Sequence, residues 1–90
     1  MRTIIKEHRF ELELRDLRGR AKDADAFVEG VEWALSRRCP IGTQITTDDP
    51  PVWFIPMIDE PRIQAVGIYY TFDDHTIIFL HLLPVVSSEN

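Results

Sequence analysis

Gln64-Ala65-Val66-Gly67-Ile68-Tyr69-Tyr70-Thr71-Phe72-Asp73-Asp74-His75-Thr76-Ile77-Ile78-Phe79-Leu80-His81-Leu82-Leu83 is the stretch that decides the fold. Val66, Ile68, Tyr70 and Phe72 alternate onto one face of an extended segment, and Ala65, Gly67, Tyr69 and Thr71 take the other. A repeat of two is the period of a strand. Asp73-Asp74-His75 supplies a turn, because short side-chain oxygens accept hydrogen bonds from the amides that follow. Thr76 to Leu83 is apolar on both faces, which marks a central strand covered on both sides. Pro84, which has no amide to donate to a ladder, ends it. The stretch predicts a C-terminal antiparallel hairpin that closes the core.

Upstream, Val52-Trp53-Phe54-Ile55 is a strand by composition. Five of the six prolines lie in residues 39–62, and Pro50-Pro51 and Pro56 bracket this strand, which predicts a short or edge position for it. Asp59-Glu60-Pro61-Arg62 reads as a loop. Further back, Ala24, Phe27, Val28, Val31, Ala34 and Leu35 recur with helical spacing and form one apolar stripe. Asp23 or Asp25 can cap that helix, and Pro40 and Gly42 stop it. His8 to Arg18 predicts an earlier helix on Phe10, Leu14 and Leu17, although Phe10-Leu12-Leu14 also fits a strand. The pairs Arg9–Glu13, Glu11–Arg15 and Asp16–Arg20 favour the helix. Thr3-Ile4-Ile5 predicts a first strand. The order β-α-α-β-β-β predicts an α+β domain over residues 1–90, with a two-helix hairpin packed on a small antiparallel sheet and a loose tail over 86–90.

The chain has 90 residues and a net charge of −5, unevenly spread. Residues 1–38 carry +1, and residues 39–90 carry −6 with Arg62 as their one cation. Nucleic-acid binding needs Lys and Arg to displace counterions, so any cationic surface must come from the first 38 residues. These charges also fit two solvated helix faces. Cys39 is the only cysteine, which excludes an internal disulfide and, with no paired Cys/His spacing, a zinc site. Charge enters too early in Met1-Arg2-Thr3-Ile4-Ile5-Lys6-Glu7 for a signal peptide, and the longest apolar run, Ile77 to Val86, is too short for a membrane span. Together these predict a cytoplasmic protein.

The element order and the run Ile68-Tyr69-Tyr70-Thr71-Phe72-Asp73-Asp74-His75-Thr76-Ile77-Ile78-Phe79-Leu80-His81 resemble the end of toxins of the RelE/ParE family. Cys39-Pro40-Ile41-Gly42 is similar to that family's helix end before the first sheet strand, and Val52-Trp53-Phe54-Ile55 to the strand after it. The resemblance spans residues 3–83. It implies a toxin of a bacterial toxin–antitoxin pair that an antitoxin wraps and neutralises. One branch of the family cuts messenger RNA on the ribosome, and another inhibits gyrase without cutting RNA. The ribonuclease branch places arginines on sheet strands and often a basic residue or tyrosine in the tail. Here Val66-Gly67 stands where a strand arginine is expected, and Pro84 to Asn90 contains no Arg, Lys, His or Tyr. Only Arg62 is loosely carried over. The expectation is a toxin-like binding protein without a full ribonuclease site. Two alternatives stand beside it. One is a non-catalytic interaction module, or a homodimer through the Val52–Ile55 edge. The other is a ribosome-dependent mRNA endonuclease, which the acidic C-terminal half disfavours.

Candidate site residues follow from residue type. His81 fits a general base near neutral pH, or a satisfied core or sheet-edge histidine on the face of Ile77, Phe79 and Leu83. Arg62 fits a phosphate clamp or a surface pair with Asp59 or Glu60. Tyr69 and Tyr70 point to opposite faces, so at most one, with Tyr69 the candidate, faces a groove. Trp33, off the helical stripe, and Trp53 and Phe54, in the short strand, fit a partner surface or a cover for the core edge. His75, in an acidic turn beside Asp73 and Asp74, fits weak cation binding or, as the better account, a solvated turn residue. No phosphate loop, nucleophile elbow or cofactor motif is present.

Overall fold

The computed structural model describes residues 2–19, 23–56 and 66–84. Its elements are β1 (Thr3–Lys6), α1 (His8–Arg18), α2 (Ala24–Arg37), β2 (Thr43–Gln44), β3 (Trp53–Pro56), β4 (Val66–Phe72) and β5 (Thr76–Pro84). The protein is α+β, with two helices and one five-stranded sheet in the order β1-β5-β4-β3-β2.

Periodicity forms the helices as predicted. Phe10, Leu14 and Leu17 are buried on α1, and Leu12, off that face, is exposed. Ala24, Val28, Val31 and Leu35 are buried on α2. Asp23 occupies the N-cap of α2 without a side-chain cap bond. Asp25 instead takes the Arg18 guanidinium, at 2.7 Å. Lys6, just before α1, meets Glu32, late in α2, at 2.8 Å. The first bridge joins the end of α1 to the start of α2, and the second ties β1 to α2. The core lies between these helices and the sheet face of Ile68, Tyr70, Ile77, Phe79 and Leu82, with the Phe10 and Phe79 rings 5.2 Å apart.

The predicted hairpin is β4 and β5, from Phe72↔Ile77 to Val66↔Pro84. Its turn is closed by Asp73, whose Oδ1 accepts from the amides of His75 and Thr76 and from the Thr76 hydroxyl. These bonds, led by the His75 amide, hold the Asp73 carboxyl below its ordinary value. His75 is exposed, as a turn residue should be.

The sheet departs from expectation in three ways. It is mixed, because β1 runs parallel to β5 through Thr3↔Thr76 to Lys6↔Phe79. An apolar β5 needs a neighbour on each side, and the first strand supplies one. Second, Thr43-Gln44 forms a strand that pairs with Phe54 and Trp53, so β3 is interior and β2 is the edge. The edge proposed for a homodimer at Val52–Ile55 is therefore already occupied by β2. Third, a bulge separates Tyr69 from Tyr70: Tyr70 faces Phe79, Tyr69 faces His81, and Leu80 is left without a partner. The alternation shifts there, so Leu82 rather than Leu83 joins Ile77 and Phe79 in the core. His81 leaves the face that simple alternation assigns to it. Arg62 and the Asp59–Arg62 loop, the break at 20–22 and the tail at 86–90 lie outside the described residues.

Candidate functional site

Two helices cover one face of the sheet, and among the described residues no helix covers the other. Register puts Ile5, Thr71 and Ile78 in one row of that outer face, and Phe54 and Tyr69 in another. Leu83, opposite Gly67, adds a third position. Phe54 and Tyr69 pack ring against ring, centroids 4.7 Å apart and planes tilted by 49°. Gly67 makes this possible. A Cβ there would stand 2.2 Å from the Phe54 ring, so the ring lies where a side chain at 67 would be. The strand arginine expected near this point is thus excluded at position 67 by packing. Thr71 donates its hydroxyl to the Pro51 carbonyl, which ties the stretch before β3 to the same face. Ile5 is 44% exposed and Leu83 36% exposed. The outer face is apolar, ringed and partly open.

His81 stands at the margin of this face. β1 ends at Lys6, opposite Phe79, so β5 outruns its parallel neighbour. Beyond that point the edge of β5 faces α1. Glu13 Oε1 accepts the Leu82 amide at 2.9 Å, which satisfies a ladder donor that has no strand beside it. Glu13 Oε2 lies 3.5 Å from His81 Nδ1. That is ion-pair range for a protonated imidazole, yet Nδ1 is buried and the geometry makes no hydrogen bond. The arrangement pairs an imidazole, 39% exposed, with a half-buried carboxylate beside Tyr69. Sequence reasoning missed Glu13. Its spacing from Phe10 and Leu17 put it on the flank of the buried stripe, but nothing in the sequence named its partner.

Cations do not gather there. The described strands β2 to β5 carry no Lys or Arg. On α1, only Arg9 shares the flank of Glu13; at about 100° per residue, Arg15 and Arg18 fall on the opposite side. They line a depression of about 270 Å³ with Lys6, Glu11 and Leu14. Lys6 and Arg18 are already bridged to α2 there.

The remaining candidates separate cleanly. Tyr70, the other tyrosine, is fully buried, and its hydroxyl donates to the Ile41 carbonyl at 2.5 Å and accepts the Ile41 amide at 2.9 Å. Burial pushes its pKa up to about 12, against a smaller opposing effect of the Ile41 bond. Trp53 is half-buried and packs against the core edge, its ring centroid 6.1 Å from that of Phe72. Trp33 is exposed on α2 under the Arg37 guanidinium. Burial raises the Cys39 thiol, against a smaller pull from Arg2, which disfavours the reactive thiolate. Among the described residues no group of three or more His, Cys, Asp or Glu could hold a metal, and no helix is long and apolar enough to cross a membrane.

No family model, curated protein or solved structure matches this chain.

Proposed function

We propose that the chain is a toxin-like protein of RelE/ParE type that acts by binding, with an antitoxin segment held on the outer sheet face, and that it lacks a full ribonuclease site. The observation that carries this reading is the partly open apolar face of Ile5, Phe54, Tyr69, Ile78 and Leu83, of which Ile5 and Leu83 are exposed. An apolar patch of this kind marks a site for a protein partner. The lack of ribonuclease chemistry rests on charge. RNA cleavage requires cations to stabilise the developing phosphate charge, and the described strands β2 to β5 supply none.

Induced expression of the chain, with and without a short neighbouring reading frame that encodes a DNA-binding motif, tests the reading. The expected result is growth arrest from the chain alone and relief when both are expressed. No arrest from the lone chain would sink the toxin assignment and leave a non-catalytic interaction module on the same scaffold. The proximity of Glu13 to His81, at 3.5 Å, is the observation on the side of the ribonuclease alternative, since a carboxylate near an imidazole suits acid–base work. Arrest accompanied by messenger cleavage that His81→Gln abolishes would replace the binding mechanism with that one.

A further inference from the structure

We propose that a second copy of this chain docks on α2, antiparallel to it, through a self-complementary face centred on Trp33. This surface is separate from the outer sheet face and does not depend on the toxin reading. The buried stripe of α2 is Ala24, Val28, Val31 and Leu35. Trp33 stands diametrically opposite, at 61% exposure. Ala26 and Gly30 share its side of the helix, and a Cβ built on Gly30 meets nothing within 4 Å. That side is therefore low, with one large ring rising from it.

Charge selects the occupant. Glu29 lies four residues before Trp33 and Arg37 four residues after it. Both are exposed, and the Arg37 guanidinium sits 4.4 Å from the Trp33 ring centroid. A two-fold axis through Trp33 places Glu29 of each copy against Arg37 of the other. The same surface then serves both partners, as an isologous contact requires. Gly30 leaves room for the two indoles to lie side by side, and the antiparallel arrangement also opposes the two helix dipoles favourably. Trp and Arg are the residue types that dominate the energy of such contacts.

Analytical ultracentrifugation of the full chain tests this. A reversible dimer is expected, and Trp33→Ala is expected to raise its Kd by about tenfold or more. Glu29→Arg and Arg37→Glu should each weaken association. The double variant Glu29→Arg/Arg37→Glu should restore it, because each copy then carries the exchanged pair. All three positions changed here, Glu29, Trp33 and Arg37, are on an exposed helix face, and far-UV circular dichroism verifies that each variant is folded. A wild-type chain that stays monomeric at millimolar concentration overturns the proposal. So does a dimer indifferent to Trp33→Ala, or a double variant no better than the single ones.

Discussion

Tyr70 and Gly67 show how much single residues decide. The Tyr70 hydroxyl reaches the Ile41 backbone from β4 and bonds to both the amide and the carbonyl there. Tyr70→Phe removes this partner from both part-buried groups, a loss of about 1 kcal/mol or more, measurable by urea denaturation. The pH dependence has a definite sign. The folded pKa is raised above the ordinary tyrosine value of 10.0 to about 12. The neutral phenol is the form that the fold favours, so its contribution is complete below pH 10 and is lost as pH rises towards 12. Alkaline unfolding in that window should be weaker in Tyr70→Phe than in the wild type. Gly67 matters through space rather than dihedral freedom. Gly67→Ala drives a methyl group into the Phe54 ring, and overpacking of this kind costs about 1–3 kcal/mol. A lower melting temperature together with changed Phe54 ring chemical shifts is the expected result.

Between elements, the contact of α1 with β5 is the informative one. β5 continues past the end of β1, and Glu13 stands in for the missing strand by accepting the Leu82 amide. Glu13→Gln keeps an acceptor of the same shape but removes the charge, whereas Glu13→Ala removes the acceptor. Hydrogen exchange at the Leu82 amide should therefore accelerate strongly in Glu13→Ala and modestly in Glu13→Gln, with the amides of β4 unchanged. Unaltered exchange at Leu82 in Glu13→Ala would mean that the carboxylate does not hold this edge. The sequence contained the elements but not this pairing. Helical periodicity found α1 and its buried face, and strand alternation found β4. The single unpaired residue at Leu80 is not legible in alternation, which by itself assigns His81 and Leu83 to the core face. A bulge is a property of two strands in register, and one strand's sequence does not carry it.

At the scale of the whole molecule, the two sheet faces have different fates. Helices bury one, and the aromatic and aliphatic row on the other remains partly open among the described residues. Tyr69→Asp and Leu83→Asp alter that open face away from the core. Each is expected to leave the melting temperature within a few degrees of wild type while abolishing rescue by a co-expressed antitoxin. Loss of the fold itself, seen as a collapsed melting transition, would show these residues to be structural instead.

The sequence by itself determined the α+β class, both helices with their buried faces, the C-terminal hairpin and its Asp73 turn. These depend on interactions among residues near one another in the chain, whose spacing is visible in one dimension. Tertiary structure decided the rest: that β1 runs parallel beside β5, that β2 covers β3, that Gly67 is filled by Phe54, and that Glu13 meets His81. Each of these joins segments far apart in sequence, and the space one group leaves for another exists only after the chain has closed on itself.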